Sequence, residues 1–332
     1  MRTPIQNLFL VLACTGLLAM PAAAQTFTNL HSFTAMSGLT NSDGANPYAG
    51  LTLSGNTLYG TAAYGGSFCV GTVFAVNTDG TGFTNLHSFA AMIDTFPSPS
   101  PSGWTNSDGA CPFAGLILSG NTLYGTAYGG GSSDNGTVFA VNTDGTGFTN
   151  LHSFTASSYE EYPYTNINSD GAFPDAGLIL SGNTLYGTAS RGGNSDNGTV
   201  FALNTDGTGF TTLHNFAGYP SDGTNPQAGL ILSGNTLYGT TCGIMIFGGG
   251  SPGLGTVFSL TVPPPPLTII HSATNVILTW PTYAPGVTLQ STTNLVSPVV
   301  WSTNSPAPTI VNGQNAVTNP VSGTQQFYRL SQ

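Results

Sequence analysis

With 332 residues the chain is long enough for one large domain or two ordinary ones. Its formal net charge of −10, from 3 Lys plus Arg and 13 Asp plus Glu, excludes the basic surface that nucleic-acid binding requires. Its 45 Gly and 22 Pro exclude coiled coils and long-helix bundles, while 39% hydrophobic residues supply a core, so the composition indicates a turn-rich all-β protein.

The first segment has the pattern of an export signal. An apolar stretch over residues 8–20 follows Arg2, and Ala22 and Ala24 form the small-x-small pattern that signal peptidase cleaves. This stretch is shorter than the roughly 20 residues of a membrane span, and no later run reaches that length. We therefore expect removal of residues 1–24 and an extracellular or cell-surface protein without a transmembrane segment. Lipoprotein processing at Cys14 is the alternative.

Four tandem repeats follow the signal. The string Gly-Asn-Thr-Leu-Tyr-Gly-Thr occurs four times, Gly-Thr-Val-Phe follows each copy, and Leu-His-Ser-Phe or Leu-His-Asn-Phe closes three of them. Each unit contains four β-like runs, named A to D, which span 49–54, 57–62, 71–77 and 83–89 in the first repeat. The A–B and C–D links carry Gly-Asn or Asp-Gly, which suit tight hairpins. Four antiparallel strands per unit predict a propeller blade.

The two ends of the repeat array complement each other. Residues 27–33 have the sequence of a D run without A, B and C runs before them, and the fourth unit stops after its C run at 255–262. We predict that these two segments pair, so that a β-propeller of four four-stranded blades is closed by its N-terminal strand. An open β-solenoid is the alternative.

Taken together over residues 27–262, these strings resemble the GloVer tandem repeat of bacterial secreted proteins. Their Tyr-Gly and Gly-Gly pattern is also similar to Kelch blades. The resemblance implies a β-propeller, and it brings no activity, cofactor or catalytic residue with it.

A second module, residues 267–332, follows a proline spacer at 263–266. Apolar runs at 267–281, 286–290, 299–303, 309–311 and 326–330 predict a small β-sandwich-like module. Trp280, near the end of the first run, resembles the core Trp of fibronectin-type-III and immunoglobulin-like modules.

The polar residues that recur with the repeat are interpreted as scaffold. The D-run histidines lie far apart on the outer rim if the strand order is Kelch-like, so we expect no metal site between them. Each Asp-Gly site offers only one carboxylate, whereas calcium needs several. An Asx-turn accounts for the recurring Asp-Gly pair, so we expect neither calcium nor another cofactor. The histidines are His31, His87, His152 and His214, and the acids are Asp43, Asp79, Asp108, Asp144, Asp170, Asp206 and Asp222.

No catalytic group is predicted. Glu160 and Glu161 are adjacent and would point to opposite sides of an extended chain, so they cannot flank one bond by themselves. The mature chain carries three cysteines, and we predict a disulfide between Cys69 and Cys111 of neighbouring blades. A bond from Cys69 to Cys242 is the alternative.

The D–A and B–C links vary between repeats, and both sets open on one face. We interpret the protein as a binding scaffold for a neutral glycan or a protein, because acidic loops disfavour anionic ligands. An extracellular polysaccharide hydrolase or lyase and a purely structural envelope protein are the alternatives. The candidate ligand-binding residues are Trp104, Tyr159, Glu160, Glu161, Tyr162 and Tyr164.

Overall fold

The computed structural model describes residues 26–94, 104–161, 164–243, 253–262, 267–281, 287–303, 307–311, 314–321 and 325–331. These residues form antiparallel sheets and no helix, so the predicted all-β class is confirmed. Within the same residues, no helix is present that has the length and hydropathy of a membrane span. The predicted signal segment and the proline spacer at 263–266 lie outside the described residues.

Each of the first three repeats folds into a four-stranded sheet in the order A, B, C, D, and the fourth forms a three-stranded sheet. The predicted runs of the first repeat each contain one strand. In chain order the strands of the repeat region are β1 (Thr52–Ser54), β2 (Thr57–Ala62), β3 (Thr72–Asn77), β4 (Thr84–Ser88), β5 (Ile93–Asp94), β6 (Trp104–Thr105), β7 (Ile117–Ser119), β8 (Thr122–Ala127), β9 (Thr137–Asn142), β10 (Thr149–Ser153), β11 (Ser158–Glu161), β12 (Tyr164–Ile167), β13 (Ile179–Ser181), β14 (Thr184–Ala189), β15 (Thr199–Asn204), β16 (Thr211–Asn215), β17 (Ile231–Ser233), β18 (Thr236–Thr241) and β19 (Thr256–Thr261).

The recurrent strings encode the packing inside each sheet. Strand B carries a glycine opposite the phenylalanine of strand C, as Gly125 on β8 pairs with Phe139 on β9. A Cβ atom at Gly125 would lie 2.6 Å from the Phe139 ring, so only glycine lets this ring lie flat on strand B. The repeated Leu-Tyr-Gly therefore reflects a packing requirement, and the ring then faces the preceding repeat.

Neighbouring repeats pack face to face through buried side chains. Tyr59, Val73 and Phe89 of the first repeat pack on Leu123 and Phe139 of the second. The same positions meet again between the second and third repeats and between the third and fourth. Each internal sheet thus gives one face to the repeat before it and the other to the repeat after it.

The predicted pairing of residues 27–33 with residues 255–262 is not found in the described part of the chain. β19 is an edge strand beside β18, and residues 26–36 form no strand. The N-terminal segment packs on the first repeat instead, where His31 stacks on Phe83 with ring centroids 3.6 Å apart. The contacts of the N-terminal segment with the first repeat are enough to hold it in place. Closure of the array into a ring requires more, because the rotations from each sheet to the next must add up so that the fourth sheet lies beside the first. Closure by the N-terminal strand is therefore not confirmed.

The C-terminal region contains two antiparallel sheets that share a small core. Trp280, which is 2% exposed, packs with Leu278, Leu289 and Val317. The predicted run 267–281 is a hairpin that turns at Ala273, and the strand Gln314–Pro320, which pairs with its second half, was not among the predicted runs. The sheets are β20-β21-β25-β24 and β23-β22-β26, formed by β20 (Thr268–Ser272), β21 (Asn275–Pro281), β22 (Thr288–Thr292), β23 (Ser302–Thr303), β24 (Thr309–Val311), β25 (Gln314–Pro320) and β26 (Phe327–Ser331).

Candidate functional site

The histidine that recurs in each D run pairs with the aspartate that opens the next unit. The Nε2–Oδ2 distances are 3.0 Å for His31–Asp43, 2.8 Å for His87–Asp108, 2.9 Å for His152–Asp170 and 2.7 Å for His214–Asp222. A backbone N–H just after strand D donates to the same carboxylate, as Thr155 does to Asp170 at 3.0 Å. These pairs tie each D–A link to its strand, which supports the interpretation of the histidines as scaffold.

The seven Asp-Gly sites fall into two structural classes. Asp79, Asp144 and Asp206 form Asx-turns, in which the Thr two residues later donates its N–H at 2.9 Å. Those Thr hydroxyl and N–H donors hold the pKa of each of these carboxyls below its usual value.

The other four carboxylates accept from histidine, so the prediction of Asx-turns at all seven sites was wrong for them. In the first three of these turns a neighbouring Asn takes the turn role, as Asn106 Oδ1 accepts the Gly109 N–H at 2.9 Å. Among the described residues, no group of three His, Cys, Asp or Glu side chains could hold a metal ion.

Aromatic rings from three repeats meet on the face formed by the D–A and B–C links. Phe113 lies 5.9 Å from Tyr48, 6.0 Å from Tyr64 and 5.5 Å from Tyr128, measured between ring centroids. Tyr128 in turn stacks on Phe173 at 4.9 Å. We call Tyr48, Tyr64, Phe113, Tyr128 and Phe173 the aromatic row.

The backbone of the links positions this row. The N–H of Phe173 donates to Asn135 of the preceding repeat at 2.8 Å, and the N–H of Tyr128 donates to Cys111 at 3.1 Å. Cys111 and Phe173 occupy equivalent positions and have left-handed backbones, each with φ of 56°. Asn46 and Asn225 hold the same position in the other repeats, and Asn tolerates this conformation far better than Phe does. Repeats two and three therefore accept backbone strain where they build the row.

One acidic and one basic side chain adjoin the row. Asp175 stands where the first two repeats have Tyr48 and Phe113, directly after the Pro of the link. Burial raises the pKa of Asp175, although a hydrogen bond from Ser190 opposes that shift. Burial also raises the pKa of Tyr128, the Asp175 charge adds to the shift, and the Arg191 charge opposes it. Asp175 and Arg191 are thus near enough for their charges to act on the Tyr128 hydroxyl.

The candidate ligand residues predicted from the sequence lie in two hairpins of the same link set. Trp104 is 48% exposed on the hairpin β5–β6, in the link between the first and second repeats. Tyr159, Glu160, Glu161 and Tyr164 lie on the hairpin β11–β12, in the next link. Tyr162 falls outside the described residues. Their joint use as a binding surface stays a prediction.

Sequence reasoning missed the aromatic row itself. Its members lie in two short stretches of the repeat: next to the link Pro, where Tyr48 and Phe113 follow it and Phe173 precedes it, and just after the Leu-Tyr-Gly-Thr string, at Tyr64 and Tyr128. An alignment of the four units places Tyr48 at the position of Phe113, and Tyr128 one position before that of Tyr64. That signal was available, but only the tertiary structure joins the two stretches.

The predicted disulfide pair lies together without a bond between the sulfurs. Cys69, Cys111 and Cys242 are free thiols in the structure. The Cys111 N–H donates at 2.8 Å to the carbonyl of Val70, the residue next to Cys69. Burial and the nearby Cys69 raise the pKa of Cys111 to about 11. The Cys69–Cys111 disulfide therefore stays a prediction.

The fold and this face define an all-β repeat protein whose variable links form one surface on a regular scaffold. The model of the Gloeobacter/Verrucomicrobia repeat matches residues 17–168 and 164–295, and the chain belongs to this family. The resemblance drawn from the repeated strings is thereby confirmed.

Other comparisons add little. No curated protein matches the chain. Among solved structures, an alpha-L-arabinofuranosidase from Clostridium thermocellum aligns with 12% sequence identity, a TM-score of 0.32, and coverage of 76% of this chain and 90% of that one. At that TM-score the likeness carries no argument about the fold or the activity of this protein.

Proposed function

We propose that this protein is an exported, propeller-type scaffold that binds a neutral glycan along the aromatic row. In this proposal the four repeats are blades, the signal segment 1–24 directs export, and the variable links form the ligand surface. The observation that carries the proposal is the row itself, in which aromatic rings from three repeats contact one another, and the charges of Asp175 and Arg191 act on Tyr128.

The chemistry of the row fits a sugar ring. Sugar rings present flat C–H faces that pack on aromatic rings, and their hydroxyls need a few fixed polar partners. Tyr48 is 63% exposed and Tyr64 is 36% exposed, so the row offers ring surface to a ligand. Asp175 can accept hydrogen bonds from hydroxyl groups, and Arg191 can donate them.

The charge balance favours an uncharged ligand. The chain carries 13 acidic residues against 3 Lys plus Arg. A polyanion would be repelled by this field, whereas a neutral glycan is indifferent to it. The hairpins with Trp104 and with Tyr159 and Tyr164 lie in the same links and would extend the surface.

A polysaccharide hydrolase is the second candidate, and Asp175 is the observation in its favour. A partly buried carboxyl with a raised pKa suits a general acid. Hydrolysis requires a second carboxyl across the bond. Asp134 also acts on Tyr128, but its Oδ1 accepts the Gly130 N–H at 2.8 Å, a role within the turn. Binding without cleavage therefore fits the site better.

A glycan array probed with the mature chain tests the proposal. We expect retention on at least one neutral oligosaccharide, and about tenfold weaker binding for Tyr128→Ala, equal to about 1.4 kcal/mol. Tyr219→Ala is the matched control, because Tyr219 is an exposed aromatic of the last D–A link outside the row. Equal loss in both variants, or no neutral ligand at all, would contradict the proposal. Release of new reducing ends from the bound glycan would favour the hydrolase instead.

A further inference from the structure

The packing between repeats follows one pattern at all three internal interfaces. The earlier repeat presents a Tyr of strand B and a Val of strand C, and the later repeat covers them with a Leu before strand A and a Leu on strand B. The Val is fully buried each time, at Val73, Val138 and Val200. A Thr of strand B also crosses the interface, as Thr126 donates to the Ala176 carbonyl at 3.0 Å.

The fourth repeat carries the same face, and no described residue packs on it as the later repeat does at the internal interfaces. Val257, at the position of the three buried valines, is 83% exposed. Tyr238 is 40% exposed, whereas its equivalent Tyr186 is 2% exposed. Thr240, at the position of Thr126, is exposed as well. The described residues of the C-terminal module leave this face exposed.

The first repeat carries the complementary face, and it is uncovered too. Leu51 is 52% exposed, whereas its equivalents Leu116, Leu178 and Leu230 are 5%, 3% and 3% exposed. Leu53 on β1 is exposed beside it. The two ends of the array thus display the two halves of an interface that the chain builds three times internally.

The backbone edges complement each other in the same way. β3, β9 and β15 each have a D strand on their outer side, whereas β19 pairs only with β18 among the described residues. Residues 27–33 have the D-strand sequence and pair with no strand in the described chain. They are already in place on the first repeat, where Leu30 lies against Gly80 as Leu86 lies against Gly145.

We propose that the fourth repeat binds the first repeat of a second copy, head to tail, and that residues 27–33 of that copy add to β19 as its missing strand. We infer that the partner is a second copy because the three internal interfaces already show how the two exposed faces fit together. Within the described residues of one chain, both faces remain exposed. A heterologous contact of this kind relates each copy to the next by a fixed rotation. The assembly is a closed ring if a few such rotations complete a full turn, and an open chain of copies if they do not. This assembly goes beyond the proposed glycan binding and does not depend on it.

The test is the mass of the mature full chain in solution, measured by light scattering across a concentration series. Wild-type protein is expected to form dimers or larger species. Val257→Asp on the fourth repeat and Leu51→Asp on the first should each be monomeric, because either change places a charge in the apolar contact. Ile310→Asp is the control, since Ile310 is 63% exposed on β24 of the C-terminal module, and it should assemble as wild type does.

Mixing the two variants makes the test specific. Val257→Asp protein keeps an intact first repeat, and Leu51→Asp protein keeps an intact fourth repeat, so the mixture should form a one-to-one complex and nothing larger. Recovery of this complex also shows that both variants are folded. The proposal is overturned if wild type is monomeric at every concentration, if Ile310→Asp has the same effect as Val257→Asp, or if the mixture stays monomeric. A monomeric wild type that Val257→Asp destabilises would indicate closure within one chain.

Discussion

Tyr128 and Phe173 stack with ring centroids 4.9 Å apart and planes 25° from parallel, although they come from different repeats. Tyr128 follows strand β8 of the second repeat, and Phe173 opens the third. The contact depends on the left-handed backbone of Phe173, which has φ of 56°. The position of Phe173 is occupied by Asn in the first and fourth repeats. It carries an aromatic ring only in the third repeat, where that ring contacts Tyr128.

Phe173→Asn should separate stability from binding. Asn relieves the left-handed strain, which costs a non-glycine residue about 1–3 kcal/mol, so the melting temperature should hold or rise. Glycan binding should weaken because the stack on Tyr128 is lost. Phe173→Ala is the matched variant that loses the ring and keeps the strain, and it should melt lower than Phe173→Asn. Calorimetry on the three proteins checks the order, and a lower melting temperature for Phe173→Asn than for Phe173→Ala would contradict it.

His152→Ala should destabilise the protein by about 1–3 kcal/mol, since it leaves the buried Asp170 carboxylate without one of its donors. The variant also loses the stack of His152 on Phe210, whose ring centroids are 3.7 Å apart.

His214→Ala is the internal comparison for this pair. Its imidazole is more exposed, at 36% against 18% for His152, and the fourth repeat stops after its C run and so supplies no equivalent of Phe210. We expect a smaller loss there in denaturant unfolding. Equal losses at the two sites would show that the stack contributes nothing measurable.

Asp144→Asn and Asp175→Asn should shift stability in opposite directions at pH 7. Folding lowers the pKa of Asp144 through the Thr146 hydroxyl and N–H, so its ionised form stabilises the fold above the unfolded pKa near 3.8. That contribution disappears as the pH falls through the lower folded value. Asp144→Asn should therefore melt below wild type at pH 7, with the difference shrinking towards pH 3.

Burial raises the pKa of Asp175, so its contribution has the reverse sign. Stability is lost as the pH rises through the raised folded pKa and the carboxyl ionises in its partly buried site. Asp175→Asn should melt above wild type at pH 7 and close to it at low pH. Thermal scans from pH 3 to pH 7 test both variants, and a lower melting temperature for Asp175→Asn at pH 7 would be inconsistent with the burial described.

The thiols should react in order of exposure and acidity. With its pKa raised to about 11, Cys111 holds almost no thiolate at pH 8, whereas Cys242 is exposed. Reduced protein treated with iodoacetamide should therefore be modified at Cys242 well before Cys111, as read by peptide mass spectrometry. Protein from an oxidising compartment should instead yield a linked Cys69–Cys111 peptide, and three free thiols there would rule out the predicted disulfide.

Much of the strand architecture follows from the sequence alone. Hairpins such as that of β1 and β2 depend on Gly and Asn within a few residues, so the predicted runs contain the observed strands. The same local reasoning merged β20 and β21 into one run and missed β25, because no Gly or Pro marks the turn at Ala273 and a polar strand lacks an apolar signature.

Contacts between repeats were decided only by the tertiary structure. The sequence indicates that Tyr48, Phe113 and Tyr128 lie in variable links, but not that their rings touch, because each contact depends on how one sheet rotates against the next. The same reason explains the ends of the array. The sequence of one repeat determines how it packs on the next repeat. The contact of Phe33 with Phe74 is an example, because it has the geometry of the equivalent contact between Phe89 and Phe139. Whether four units close into a ring depends on an angle summed over all of them, which no single unit encodes.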